Sequence, residues 1–205
     1  CFISNAIIDE AKKRLEKSKI KFAGDILFSA THSHTAPYIC DFFGVKRDEP
    51  YVEFLTEKIV TAVIRASKNL SPAEISYGSA ENSTLAFNRR YFMKNGKVVT
   101  NPGKLNPDIV KPEGPIDPEI GAITVKKDRI IEVIIANIVN HTDTVGGDLV
   151  SADWPGRMEK EIQQKAGYDV PVITLVGTSG NINHFDVKTS KNQSSYKEAK
   201  RIGKA

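Results

Sequence analysis

The longest apolar run in the sequence, Ile130 to Val139, is interrupted only by Glu132 and Asn137. It is far shorter than the ~18 residues that a membrane-spanning helix needs. Its apolar content reads as a strand buried on both faces, which demands a covering layer on each side. Helix-like and strand-like stretches alternate around it. Ser4 is placed to cap a first helix, in which Ile7, Ala11 and Leu15 share one face. Gly24-Asp25 breaks that pattern, and Ile26 to Ala30 reads as a short buried strand leading into Thr31-His32-Ser33-His34. A second helix is expected from Glu49 to Asn69, with Val52, Leu55, Ile59 and Val63 facing inward and Ser71-Pro72 ending it.

Glu74 to Ala80 reads as a strand. Tyr91-Phe92-Met93 and Val98-Val99 flank an Asn95-Gly96 pair suited to a type I′ hairpin turn. Residues 101 to 119, with prolines at 102, 107, 112, 115 and 118, read as an irregular loop. Ala122 to Val125 and the long apolar run are strands joined at Asp128-Arg129. Asp153 caps a third helix with Pro155 in its first turn, and Gly167 ends it. Val170 to Val176 is another buried strand, and a last helix begins near Ser194. The pattern predicts an α/β fold: a layered arrangement with a mixed β-sheet flanked by helices, in a single domain over 1–205.

The net charge of +4, from 29 basic and 25 acidic residues, is scattered. Pairs such as Lys12-Lys13, Arg89-Arg90 and Lys126-Lys127 stand isolated, so they read as solvated surface and no nucleic-acid partner is expected. No transmembrane segment and no signal peptide are expected. The two cysteines make neither a disulfide framework nor a Cys-type zinc site. The chain opens without Met and closes inside a helix-like stretch, as an incomplete domain would.

The chemistry concentrates in the histidines. There are four, at 32, 34, 141 and 184, each just after an expected buried strand. Loops beyond the carboxyl ends of strands are where open α/β sheets bind ligands. In extended chain His32 and His34 point to one side, as two metal ligands or as a ligand and an acid/base group. A catalytic zinc needs about three protein ligands and an open position. The plainer reading is an incidental His-x-His and a strand-end His141 bonded to a carbonyl; it suits any one histidine better than three together. Arg89 or Arg90 could hold an anionic oxygen in its planar fork, or both could be surface residues. Gly177-Thr178-Ser179-Gly180-Asn181 lacks the last glycine of a G-x-S-x-G elbow. A Ser179 nucleophile is therefore the weaker alternative, and the glycines read better as letting the loop backbone pass close to a ligand or metal site.

These residues resemble the motifs of the neutral/alkaline ceramidases. Ser29-Ala30-Thr31-His32-Ser33-His34-Thr35-Ala36-Pro37 resembles their T-H-T-H-S-G/A-P segment, and Phe87-Asn88-Arg89-Arg90 their N-R motif. Asn140-His141-Thr142 is similar to H-P-T, and Ser151-Ala152-Asp153-Trp154-Pro155-Gly156 to S-G/A-D-x-x-G. Gly180-Asn181-Ile182-Asn183 stands where the family has G-D/N-V-S-P-N. The resemblance covers roughly residues 26 to 190 in the family's order.

It implies a zinc-dependent amidase with one Zn2+ ion, cleaving the N-acyl bond of ceramide or a related small-molecule or lipid substrate. His32 and His141 would be metal ligands, His34 a proton-transfer group and Arg89 a contact to the reacting oxygen. A Glu and a Tyr from further along the chain would complete the zinc site. A secreted or periplasmic location would follow. Asn183 replaces the family's serine and His184 the following proline; both are assigned to the substrate side. That departure keeps two alternatives open: a non-catalytic lipid- or glycan-binding relative, and a hydrolase of another amide or ester. The whole reading requires the rings of residues 32 and 141 to come within about 6 Å.

Overall fold

The computed structural model describes residues 2–20, 25–191 and 195–205. Cys1, Gly24, Asn192 and the expected helix start at Ser194 lie outside them. The chain divides into two compact units, residues 1–30 with 36–72, and residues 31–35 with 73–205.

The first unit is helical. α1 (Asn5–Lys17) buries Ile7, Ala11 and Leu15, the stripe read from their spacing. Ser4 takes the N-cap conformation, but its hydroxyl makes no cap bond; the Ser4 carbonyl instead accepts from the amides of Ile7 and Ile8. α2 (Glu49–Lys68) starts at Asp48, whose carboxylate accepts from the Tyr51 amide at 3.0 Å. Arg14 joins the two helices by a bidentate pair with Glu53 at 2.7 and 2.9 Å. The strand expected over residues 26–30 is absent: these residues are irregular, pair with no strand among the described residues, and leave Leu27 86% exposed.

The second unit carries a four-stranded sheet in the order β1 (Glu74–Glu81), β6 (Glu119–Lys127), β7 (Ile130–Ile138) and β8 (Val172–Val176). The first two pairings are antiparallel and the last is parallel, so the sheet is mixed. Asp128 and Arg129, at φ 49° and 70°, form the tight turn between β6 and β7. The parallel step from β7 to β8 is made by α3 (Asp153–Ala166), a βαβ unit that brings the loops after both strands to one edge.

α3 and α4 (Ser195–Lys204) pack on one face of the sheet. Trp154, Met158, Ala199 and Ile202 meet Ala136 and Ile138 of β7 there, with Ile120, Val172 and Val176 beside them. The register explains the set, since Ile120, Ile138 and Val176 lie across from one another. This is the layered α/β fold expected. Burial of the long apolar run on both faces is corrected: within β7 only Ala136 and Ile138 are buried and Ile130 is exposed, and Ile75, Tyr77, Ile123 and Ile173 on the neighbouring strands stay exposed as well.

Three shorter pairings complete this unit. β2 (Phe87–Asn88) pairs with β9 (Ile182–Asn183). β3 (Arg90–Met93) pairs with β4 (Val98–Thr100) and with β5 (Ile109–Pro112). β5 lies inside the segment expected to be irregular. The hairpin between β3 and β4 forms at Asn95-Gly96, but only Gly96 takes a positive φ, 77°. With the Gly96 amide bonded to the Met93 carbonyl and the Met93 amide to the Lys97 carbonyl, it is a three-residue loop, not type I′.

Candidate metal centre

Past the end of β7, the chain from Asn140 to Val145 is buried except for a half-buried Asp143, although it belongs to no regular element. Buried irregular backbone must find partners for its polar groups, and side chains supply them here. The Asn140 amide donates to the Leu85 carbonyl at 3.0 Å. The Thr142 hydroxyl donates to the Thr31 carbonyl, and the His34 amide to the Thr142 carbonyl at 3.3 Å. Asp153 accepts from the Thr144 hydroxyl and from the amides of Val145 and Trp154. Trp154, fully buried at the start of α3, donates its indole N–H to the His141 carbonyl at 3.1 Å. The segment 31–35 is held from its other side, where the Ser33 hydroxyl donates to the Ser151 carbonyl at 2.9 Å.

The two segments bring three imidazoles together. Ring centroids are 4.7 Å apart for His32 and His141, 5.0 Å for His32 and His34, and 5.2 Å for His34 and His141, all edge-on. Their ligand nitrogens all lie within 4.8 Å of one another. On a tetrahedral zinc with bonds of ~2.0–2.1 Å, nitrogens stand about 3.4 Å apart, a closing within reach of side-chain torsions. The pairing of His32 with His34 does not come from extended chain. His32 sits at φ 61°, in the left-handed region, and that kink turns the rings toward each other.

His141 is oriented as a ligand. Its Nδ1 lies 3.1 Å from the Ser179 carbonyl in the loop after β8, so Nδ1 carries the hydrogen and Nε2 the lone pair. Burial pushes all three imidazoles below their ordinary pKa, which favours the neutral, metal-binding form. The Asp143 carboxylate opposes that shift at each of them, and the Arg89 charge reinforces it at His32 and His141. The donor set fits a zinc ion. Ser179 is itself buried, and it offers His141 its carbonyl, not its hydroxyl, which tells against the nucleophile reading.

Arg89 lies close enough for its charge to be felt by two of the histidines, and its guanidinium donates through Nε and Nη2 to the Gly180 carbonyl at 3.0 and 2.6 Å. Arg90 turns away into an ion pair with Glu113. Asn183 is buried, and its amide donates to Asn101 Oδ1 at 2.7 Å, tying β9 to the loop after β4. His184 bonds Asp143, a residue the sequence reading passed over. The one signal for Asp143 was its place two residues after His141. The glycine loop approaches protein: a Cβ on Gly177 would stand 2.6 Å from Val139 Cγ2.

Beside a mixed α/β sheet, the loop after β7 and the segment 31–35 gather three imidazoles that together could hold a metal ion. No family model matches the sequence, and no curated protein does. In structure the chain is similar to the neutral ceramidase from Pseudomonas aeruginosa, with a TM-score of 0.74 and 19% identity over 98% of this chain and 33% of that one. It is similar also to a ceramidase complexed with C2, with a TM-score of 0.75 and 20% identity over 98% of this chain and 32% of that one. The chain thus has the fold of about a third of these ceramidases. No helix among the described residues is long and apolar enough to cross a membrane.

Proposed function

We propose that the chain supplies the histidine side of a zinc-dependent hydrolase site of the neutral-ceramidase type, acting on the N-acyl amide bond of a ceramide-like lipid. The observation that carries this reading is the meeting of His32, His34 and His141 within ligand distance at the end of a sheet whose fold matches ceramidases. His32 and His141 would hold one Zn2+. The ion supplies a water that is nucleophilic near neutral pH and a positive charge beside the carbonyl oxygen. His34, the most exposed of the three, takes a proton from the attacking water and returns it to the leaving nitrogen. Arg89, anchored on Gly180, faces the oxygen on which charge develops.

Metal analysis after reconstitution tests the reading. One equivalent of zinc is expected, and less than about half an equivalent would remove its basis. His32→Ala and His141→Ala should each weaken zinc binding by more than the ~10–100-fold that loss of an outer-shell partner costs. His34→Ala should keep zinc and lose turnover of a short-chain ceramide.

The burial of Asn183 against Asn101 favours one second reading, a relative that binds a lipid or glycan without cleaving it. One zinc per chain, with no turnover of N-acyl amides, esters or phosphoesters, decides for that.

A further inference from the structure

Asp143 and His184 lie 41 residues apart in sequence and meet beside the histidine cluster. His184 Nδ1 is 3.1 Å from Asp143 Oδ1, with side chains 19% and 24% exposed. His184 stands where the chain departs from the ceramidase-like motif, in place of the proline of G-D/N-V-S-P-N.

The contact sets the chemistry of the ring. An imidazole that gives its Nδ1 hydrogen to a carboxylate presents a lone pair on Nε2. His184 is held on both sides, since its main-chain carbonyl accepts from Arg201 Nη2 of α4 at 3.2 Å. It lines a cavity of about 570 Å³ with Phe87, Asn101, Lys104 and Arg201. The charged groups around it are Asp143 from the loop after β7, Asp186 on its own loop, Glu198 and Arg201 from α4, and Lys104 and Lys191 across the cavity. The same Asp143 carboxylate acts on His32, His34 and His141, so one anion serves the metal centre and the outer histidine together. A partly open, carboxylate-held histidine on a cavity wall fills no core. It is built as acid/base pairs are built.

We propose that His184, oriented by Asp143, is a second proton carrier of this site, serving the substrate from the cavity side. This rests on the hydrolase reading above. As the water oxygen bonds to the carbonyl carbon, His34 takes one water proton and delivers it to the leaving atom as the bond from carbon breaks. The second water proton passes from the new carboxyl oxygen to His184 Nε2 and on to the released amine, which leaves as ammonium beside a carboxylate, or to solvent where an alcohol is released. No electrons are exchanged with a third species. His184 is then a catalytic residue and Asp143 a positioning residue.

The test uses the full chain loaded with zinc, N-acyl 4-nitroanilides and 4-nitrophenyl esters as probes, and rates across neutral pH. In His184→Gln, zinc content and KM should hold while kcat falls by ~10²–10⁴-fold. Added imidazole should restore part of the rate to His184→Ala. Asp143→Asn should lower kcat by less, with zinc content and KM unchanged. A strongly downfield Nδ1 proton resonance should be present in the wild type and absent from both His184→Gln and Asp143→Asn. An unchanged kcat in His184→Gln overturns the proposal, as does a rate lost only together with zinc, or a zinc-loaded wild type that turns over nothing. Failure of the metal reading shows separately, as a wild type that takes up no zinc. The same His184→Gln comparison on that metal-free protein still decides: turnover that needs His184 supports the dyad, and any other result sinks it.

Discussion

His32 holds a backbone conformation that costs a side-chain-bearing residue about 1–2 kcal/mol, and it does so at the centre of a cluster of imidazoles. Its neighbours add an electrostatic cost. Burial holds His32, His34 and His141 below their ordinary pKa, and His34 is also disfavoured as a cation by the other two rings. In the unfolded chain the same groups titrate near ~6.5. Between the depressed folded values and ~6.5 the unfolded state therefore binds more protons, so stability rises with pH there. The contribution is complete above ~6.5 and is lost as pH falls through the folded values. With chelator present, the urea midpoint should drop as pH falls from about 7.5 to 5, and drop less in His141→Gln. Equal slopes for the two proteins would show that the cluster does not titrate in this way. The rarity of histidine made these three residues legible in the sequence. The kink that joins His32 to His34 was not, because nothing in Thr31-His32-Ser33 announces a positive φ. Asp143 was missed for the opposite reason: an aspartate in a loop is ordinary until a partner distant in sequence is seen beside it.

At the scale of elements, the close approach of α4 to α3 fixes the packing beneath the site. A Cβ on Gly203 would stand 2.6 Å from the Met158 amide nitrogen and 2.7 Å from Arg157 Cβ. The nearest obstacle is backbone and cannot rotate aside, so the helices would have to separate. Ala199 and Ile202 would then lose contact with Trp154 and Met158, the core that places the indole donor on the His141 carbonyl. Alanine in a helix is intrinsically better than glycine by about 1 kcal/mol, and overpacking costs about 1–3 kcal/mol. The clash wins, and Gly203→Ala should lower stability by about 1–2 kcal/mol, read as a lower urea midpoint at unchanged slope. A raised midpoint would mean that the helices yield without cost. Elements with local signals were legible: the α1 stripe, the hairpin at Gly96, the end of α3 at Gly167. Residues 26–30 have a strand's composition and no strand beside them, and β5 hides among prolines because its pairing to β3 is set by tertiary contacts.

For the whole molecule, the donors come from segments about a hundred residues apart in the chain, and both segments lie in the unit that holds the sheet. The alternation of helix and strand announced that layered frame. Which strand edges would gather which loops depended on the parallel pairing of β7 with β8, a long-range fact that composition does not carry. An unfolded chain offers no such cluster, so a metal that binds the folded site must stabilise it by mass action. At free zinc about 100-fold above its Kd, the gain is about 2.7 kcal/mol. For a chain of this size, that corresponds to a rise in Tm of roughly 5–11 °C. Magnesium should produce no comparable shift, because it prefers oxygen ligands to imidazole nitrogen. His32→Ala should lose the zinc-induced rise at the same zinc concentration. An equal rise in wild type and His32→Ala, measured by calorimetry with and without zinc, would place the metal elsewhere on the chain.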